Sequence, residues 1–340
     1  MTAAEILPQT VRAHELYGDF WFNADPVIIS ALRGRVILIE FWDFTCLHCL
    51  RALPYIQEWN RKYAEYGLVV IGVHTPKFPF GKNPETVQRA VKRLNITFPV
   101  VMDNEGIIAA RYDNREWPTI HLVDKHGFVR YQSAGQINYT ATERVLHTLL
   151  YDTGIEDDLP LLMEPLREED RAGSILYRST PELFAGYLKG SIGNVEGYSP
   201  ESVVEYSDPG YYVDDRIYVV GEWLNDRNSL HLQGESPGKV ILSYHASEVS
   251  AVVQPQGGRA VEVTVMQDDQ FLTDENKGDD IRIDRDGRSV ALITEPRLYH
   301  LVKNPRYGHH VVRLIVEHDT IAVYSFTFVS SVIPELVSNT

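Results

Sequence analysis

Cysteine is scarce: the 340 residues hold two, Cys46 and Cys49. That excludes a disulfide scaffold and leaves the fold to a conventional apolar core. Long apolar runs are missing as well. The longest, Val36 to Trp42, is interrupted by Glu40 and falls far short of the about 18 residues that a membrane-crossing helix needs. Gly (23) and Pro (18) are too few for a collagen-like or low-complexity chain. Positive charge is in deficit, with 32 Lys+Arg against 47 Asp+Glu and a net charge of −15. The deficit is confined to one part. Residues 1–152 carry 16 of each sign, and the remainder carries 16 Lys+Arg against 31 Asp+Glu. A step of this kind marks two independent units. The acidic half repels phosphate backbones and anionic lipid, so no nucleic-acid partner is expected.

What is present is ordinary for a globular chain: 44% hydrophobic and 23% charged residues, in a length that suits two domains. Gly34 precedes Val36 to Trp42, a β-branched run that reads as a buried central strand. A helical pattern follows Cys46, with Leu50, Leu53, Ile56 and Trp59 on one face. Leu68–Val73 reads as a second buried strand, Pro84–Leu94 as a helix, Thr97–Met102 as a strand and Glu105–Tyr112 as a helix. A hairpin at Thr119–Ser133 and a helix at Thr140–Leu150 complete an α/β layered pattern over residues 1–152. Residues 153–180, with two prolines and a charge cluster, read as a linker. Beyond them the period becomes two. Strands are expected at 216–223, 239–245, 248–253, 260–266, 289–294, 310–317 and 320–329, with turns at Asn225-Asp226, Pro237-Gly238 and His318-Asp319 among others. Residues 181–340 therefore read as a β-sandwich.

Cys46-Leu47-His48-Cys49 fits two chemistries. A zinc site needs four ligands, and there is no second cysteine pair. No metal is therefore expected. A redox pair needs a thiolate and a resolving thiol within bonding reach. Cys46, at a helix N-terminus, meets free N–H groups and the helix macrodipole, which favour its thiolate. Cys49 lies one turn further in, placed to resolve a mixed disulfide. His48, when protonated, would stabilise the reduced form. Glu40, a carboxylate inside the buried strand, would have a raised pKa and could take the Cys49 proton. Trp117-Pro118-Thr119 precedes a strand, and an aromatic–Pro bond is a candidate for the cis form. The pair carries the electrons itself, so no further cofactor is expected.

Phe41-Trp42, the Cys-Leu-His-Cys motif, Pro54 and Trp117-Pro118-Thr119 resemble a thioredoxin-fold redoxin of the AhpC/TSA type, in its TlpA/ResA-like branch. Val73-His74-Thr75-Pro76 and the β-rich tail, with Gly221-Glu222-Trp223 and Glu295 to Tyr299, resemble the soluble C-terminal region of DipZ-type proteins. The resemblance implies a three-layer α/β/α thioredoxin fold followed by an all-β, jelly-roll-like sandwich similar to carbohydrate-binding (galactose-binding-like) modules. It implies Cys46 as nucleophile, Cys49 as resolver and Pro118 as a cis-proline, with Trp42, Trp117 and Thr119 beside the substrate. The function it implies is thiol–disulfide exchange with protein thiols and an external redox partner. The alternatives are a thiol-dependent peroxidase and a glycan-binding protein with an accessory redox domain. A peroxidatic cysteine needs Ser or Thr three residues before it, whereas Asp43 stands before Cys46. In the sandwich, Tyr198, Tyr211, Tyr212, Trp223 and Tyr307 are the candidates for stacking on a sugar. The first 17 residues lack a secretory apolar core. A cytoplasmic location is expected on that ground, and the resemblance suggests an extracytoplasmic one.

Overall fold

The computed structural model describes residues 6–233, 236–317 and 320–334. The turn expected at His318-Asp319 lies outside them. The chain divides into two compact units, Met1–Ala172 and Gly173–Thr340.

The first unit runs β1 (Trp21–Phe22), β2 (Val36–Trp42), α1 (Leu47–Tyr63), β3 (Leu68–His74), α2 (Pro84–Arg93), β4 (Val100–Met102), α3 (Ile107–Arg111), β5 (Thr119–Val123), β6 (Val129–Ala134) and α4 (Tyr139–Asp152). Its sheet has the order β1-β4-β3-β2-β5-β6. β2 lies at the centre, parallel to β3 and antiparallel to β5. Every residue of β2 is buried, which is why its sequence is nearly continuous in apolar residues rather than alternating. Val36, Leu38 and Trp42 pack with α1, α2 and α4 through Ile56, Val87 and Leu146. Ile37, Ile39 and Phe41 pack on the opposite face with Ile108 and Ala109 of α3 and with Leu16 and Ile29. Layers on both faces of a mixed sheet, with β2–α1–β3 as a parallel crossover, make this a thioredoxin fold.

The stretch expected as a linker is for the most part strapped down. Leu159 is buried in the cluster of α1 and α4. Met163 N–H donates to Glu143 (2.8 Å), Leu166 N–H to the Tyr55 hydroxyl (2.6 Å) and Arg167 to the Arg51 carbonyl (3.1 Å). In the second unit, Thr180 N–H donates to the His245 carbonyl, and Leu176 bridges Val332.

The second unit is all-β: β7 (Leu183–Phe184), β8 (Val203–Tyr206), β9 (Tyr218–Asn225), β10 (Leu230–Leu232), β11 (Gly238–Pro255), β12 (Val261–Gln267), β13 (Gln270–Phe271), β14 (Ile281–Ile283), β15 (Ser289–Ile293), β16 (Arg297–Val316) and β17 (Ile321–Val329). A β-sandwich is the expectation. Its strands enclose a single core as expected, and among the described residues the hydrogen bonds link the layers into one eleven-stranded network. The cause is the length of β11 and β16, which read as shorter strands in the sequence. Their register shifts between Ala246 and Glu248, and there β11 exchanges its other neighbour. Lys239–Ile241 pairs with β9 and Glu248–Pro255 with β17. Such irregularities let one strand serve two layers.

Candidate redox site

β2 ends at Trp42, and a short turn delivers Cys46 to the N-cap of α1 with extended backbone angles (φ −86°, ψ 110°). Its N–H donates to the Asp43 carbonyl at 3.1 Å, and its own carbonyl accepts the Leu50 N–H. Cys46 Sγ accepts the Cys49 N–H at 3.2 Å. The sulfur thus occupies the place of a capping oxygen, where backbone N–H groups and the helix dipole favour negative charge. Both thiols are free. Cys46 is 7% exposed and Cys49 1%, so Cys46 is the one an incoming group meets. Burial pushes the Cys49 thiol well up, and its hydrogen bond to Cys46 and the charges of Cys46 and Glu40 add to the rise. His48, between the two, is exposed on the first turn of α1.

Glu40 shares its side of β2 with Leu38 and Trp42, the side that carries α1. It is fully buried, and neither carboxylate oxygen has a hydrogen-bond partner among the described residues. Desolvation pushes its pKa up to about 8.

Three further buried side chains, Asp43, His74 and His121, carry no local sequence signal. Asp43 and His74 are both buried, and His74 Nε2 lies 3.4 Å from Asp43 Oδ2. Asp43 also accepts the Lys77 N–H (3.0 Å), the Thr45 N–H (2.6 Å) and the Thr45 hydroxyl. Burial alone would raise its pKa. The hydrogen bonds and charge around it, led by His74, hold it below the usual value. The register would have brought the pair together, since Trp42 and His74 are partners at the ends of parallel strands. His121, opposite Ile39 across β5, is buried with no hydrogen-bond partner among the described residues. Its ring packs edge-on against Phe41 and Tyr112, and burial depresses its pKa to about 4.

The remaining expected residues divide. The Trp117–Pro118 peptide is cis. The pairing of Thr119 with Phe41 puts this segment at the same end of the sheet as Cys46. Trp117 is partly buried. The side chains of Trp42 and Thr119, both expected beside the substrate, are buried. Trp42 is 1% exposed and packs edge-on against His74, in a space that exists because residue 72 is glycine; a Cβ there would come within 2.9 Å of the Trp42 indole nitrogen. Thr119 is fully buried, and its hydroxyl donates to the Glu116 carbonyl.

In the second unit, Trp223 is fully buried, and its indole N–H donates to the Val220 carbonyl (2.9 Å). It is a core residue rather than a sugar platform. Tyr307 stacks on Tyr177 at 4.5 Å. The acidic run from Asp268 to Asp286 is engaged in local pairs. Asp280 binds Arg297 through both oxygens, Asp284 binds Arg288, and Asp268 binds His310.

A thioredoxin fold with a Cys-x-x-Cys pair at the start of its first long helix defines a redoxin. Residues 20–132 match the AhpC/TSA family, and residues 180–328 match the family described as thioredoxin like C-terminal domain. The chain is thus similar to an AhpC/TSA redoxin over most of its first unit and to a thioredoxin like C-terminal domain over most of its second. It is similar to protein DipZ of Mycobacterium bovis, 33% identical over 259 residues, which are 74% of this chain and 36% of that protein. It is also similar to the thiol-disulfide oxidoreductase YkuV of Bacillus subtilis, 26% identical over 140 residues, 41% of this chain and 94% of that one. Among solved structures, the thiol-disulfide isomerase of Corynebacterium glutamicum matches with a TM-score of 0.39 and 27% identity, over 42% of this chain and 97% of that one. The chain spans about a third of the length of its DipZ relatives. No helix among the described residues is long and apolar enough to cross a membrane.

Proposed function

We propose that this chain is a thiol–disulfide oxidoreductase acting on protein disulfides or thiols. The observation that carries the reading is the Cys46 sulfur at the helix N-cap, accepting the Cys49 N–H. In the reducing direction, the Cys46 thiolate attacks a substrate disulfide and releases one substrate thiolate. Cys49 passes its proton to ionised Glu40 and attacks the Cys46 sulfur. The Cys46–Cys49 disulfide forms, the second substrate thiolate leaves, and two electrons have moved from the pair to the substrate. No cofactor beyond the pair is called for, and an external dithiol must restore it. The second unit holds neither cysteine, and we assign it to docking the protein partner.

A thiol peroxidase, which the AhpC/TSA family name invites, has less to support it. The position three before Cys46 is Asp43, whose carboxylate is already committed to Thr45, Lys77 and His74.

The test is the equilibrium of the pair with a glutathione redox buffer, read by thiol trapping, on the wild type, Cys46→Ser and Cys49→Ser. Reversible disulfide formation in the wild type alone, with a trapped mixed disulfide in Cys49→Ser, is expected. Failure to form the disulfide, or peroxide consumption that survives Cys49→Ser, overturns it. A potential near that of thioredoxin, about −270 mV, assigns a reductase; one near about −120 mV assigns a disulfide donor. The same trapping in cells separates the cytoplasmic placement from the extracytoplasmic one.

A further inference from the structure

The second unit brings together three side chains that are far apart in the sequence. β11 and β16 run antiparallel with His245 directly opposite His309. The two imidazoles stack, with centroids 4.5 Å apart and 27° between the planes. Strand alternation puts Ser243 and His245 on one face of β11, while Tyr244 and Ala246 enter the core. A loop ahead of β9 supplies Asp214. That loop is pinned by the Val213 N–H to the Tyr218 hydroxyl (2.9 Å) and by Asp208, which accepts the Gly210 N–H and the Tyr212 hydroxyl. Asp214 Oδ2 lies 3.2 Å from His245 Nε2, and Asp214 Oδ1 lies 3.2 Å from His309 Nε2. The Ser243 hydroxyl donates to Asp214 Oδ1 and sits 2.7 Å from His309 Nε2.

Ser, His and Asp in contact suggest a nucleophile with its base, but the geometry rejects this. A relay needs the carboxylate on Nδ1 and the hydroxyl on Nε2. Here both approach Nε2 of His309. Convergence of all partners on the Nε2 atoms is the arrangement of ligands around a shared centre. One ligand atom from each of Asp214, His245 and His309 lies within 4.8 Å of the others. Each Asp–His separation, one to each carboxylate oxygen, is close to the about 3.3 Å ligand–ligand edge of an ion bound tetrahedrally at about 2.0 Å. Two imidazoles and a carboxylate suit a divalent transition metal such as zinc and not the all-oxygen shells of calcium or magnesium.

We propose that Asp214, His245 and His309 form a divalent transition-metal site, with Ser243 orienting the Asp214 carboxylate. The side chains of the three residues are 44%, 41% and 53% exposed, so a coordination position remains open to water or to an exogenous ligand. The ion would tie the Asp214 loop to the β11–β16 pair.

The test uses the full chain carrying Cys46→Ser and Cys49→Ser, so that no thiolate competes for the ion. Zn²⁺ is titrated by calorimetry and Co²⁺ by visible absorption. One ion per chain is expected, with the d–d bands of a nitrogen/oxygen site of low coordination number and a raised thermal midpoint. Asp214→Asn, His245→Gln and His309→Gln should each abolish the Co²⁺ bands. Ser243→Ala should weaken binding about tenfold or more. His310→Gln, whose imidazole pairs with Asp268 instead, should leave binding intact. Absence of binding in the parent chain, or binding that survives all three ligand variants, overturns the proposal. Should those variants unfold, imidazole ¹⁵N resonances of the parent chain give the answer. Zn²⁺ must shift His245 and His309 and spare His310, and any other pattern overturns the site.

Discussion

The carboxylate of Asp43 and the imidazole of His74 lie 3.4 Å apart with no access to solvent. The same carboxylate holds two backbone N–H groups, one in the turn that leads into α1 and one just beyond β3. Phe44 stacks on the imidazole with ring centroids 5.3 Å apart. The turn that presents Cys46 is thereby bolted to the neighbouring strand instead of being left to its own propensity.

Asp43→Ala should therefore destabilise the first unit by about 3–5 kcal/mol, the range for removing one partner of a buried polar pair. Asp43→Asn keeps one acceptor oxygen and should lose less. Urea midpoints of the two variants measure the order.

Glu40→Gln preserves the shape of the protonated acid and removes the proton acceptor. The first attack by Cys46 should be little changed. Resolution by Cys49 should slow by about 10² or more, the usual contribution of general base catalysis. Rapid-quench trapping should then show the mixed disulfide accumulating. Equal resolution rates in the Glu40→Gln variant and the wild type would remove Glu40 from the pathway.

Stability should depend on pH in two opposite ways. Glu40 has its folded pKa raised to about 8, so the unfolded chain loses the proton first and stability declines from about pH 4.5 up through 8. His121 has its folded pKa lowered to about 4, so the unfolded chain gains the proton first and stability declines from about pH 6.5 down through 4. Each slope is about 1.4 kcal/mol per pH unit, and between pH 4.5 and 6.5 the two oppose each other. Denaturant titrations should show a plateau there. Glu40→Gln should remove the alkaline decline and His121→Phe the acid one.

Trp223→Ala should cost the second unit about 3–5 kcal/mol, because the indole is fully enclosed and its N–H is satisfied within the fold. The expected readout is an earlier urea transition for the second unit with the thiol chemistry of Cys46 unchanged. An unaltered transition would contradict the core assignment.

Much of the first unit was legible because its signals are local. Val36–Trp42 coincides with the observed strand, and Pro84 near a helix start and the Cys-x-x-Cys spacing each declare themselves within a few residues. Glu40 stood out because a carboxylate in such a run has no reason to be there on packing grounds. The burial of Trp42 depends on Gly72 and His74 of the next strand, which no local pattern shows. In the second unit, Asn304-Pro305 and Gly308 conceal that Arg297–Val316 is one strand. A break at Ala246 likewise divides β11 in the sequence pattern. His245 and His309 could not be associated without the register that joins them, since they lie more than 60 residues apart and no local pattern links them.

β7 stands at the start of the second unit and pairs with β17 near its end, Phe184 opposite Ser325. A fold closed by its first and last strands has no partial product. On the ribosome, the redoxin can be complete once its strap to Asp170 has emerged, whereas the second unit must wait for its final strand. Non-local pairing of this kind folds slowly. The nascent chain therefore passes through a stage in which the Cys46–Cys49 pair is in place before the second unit exists.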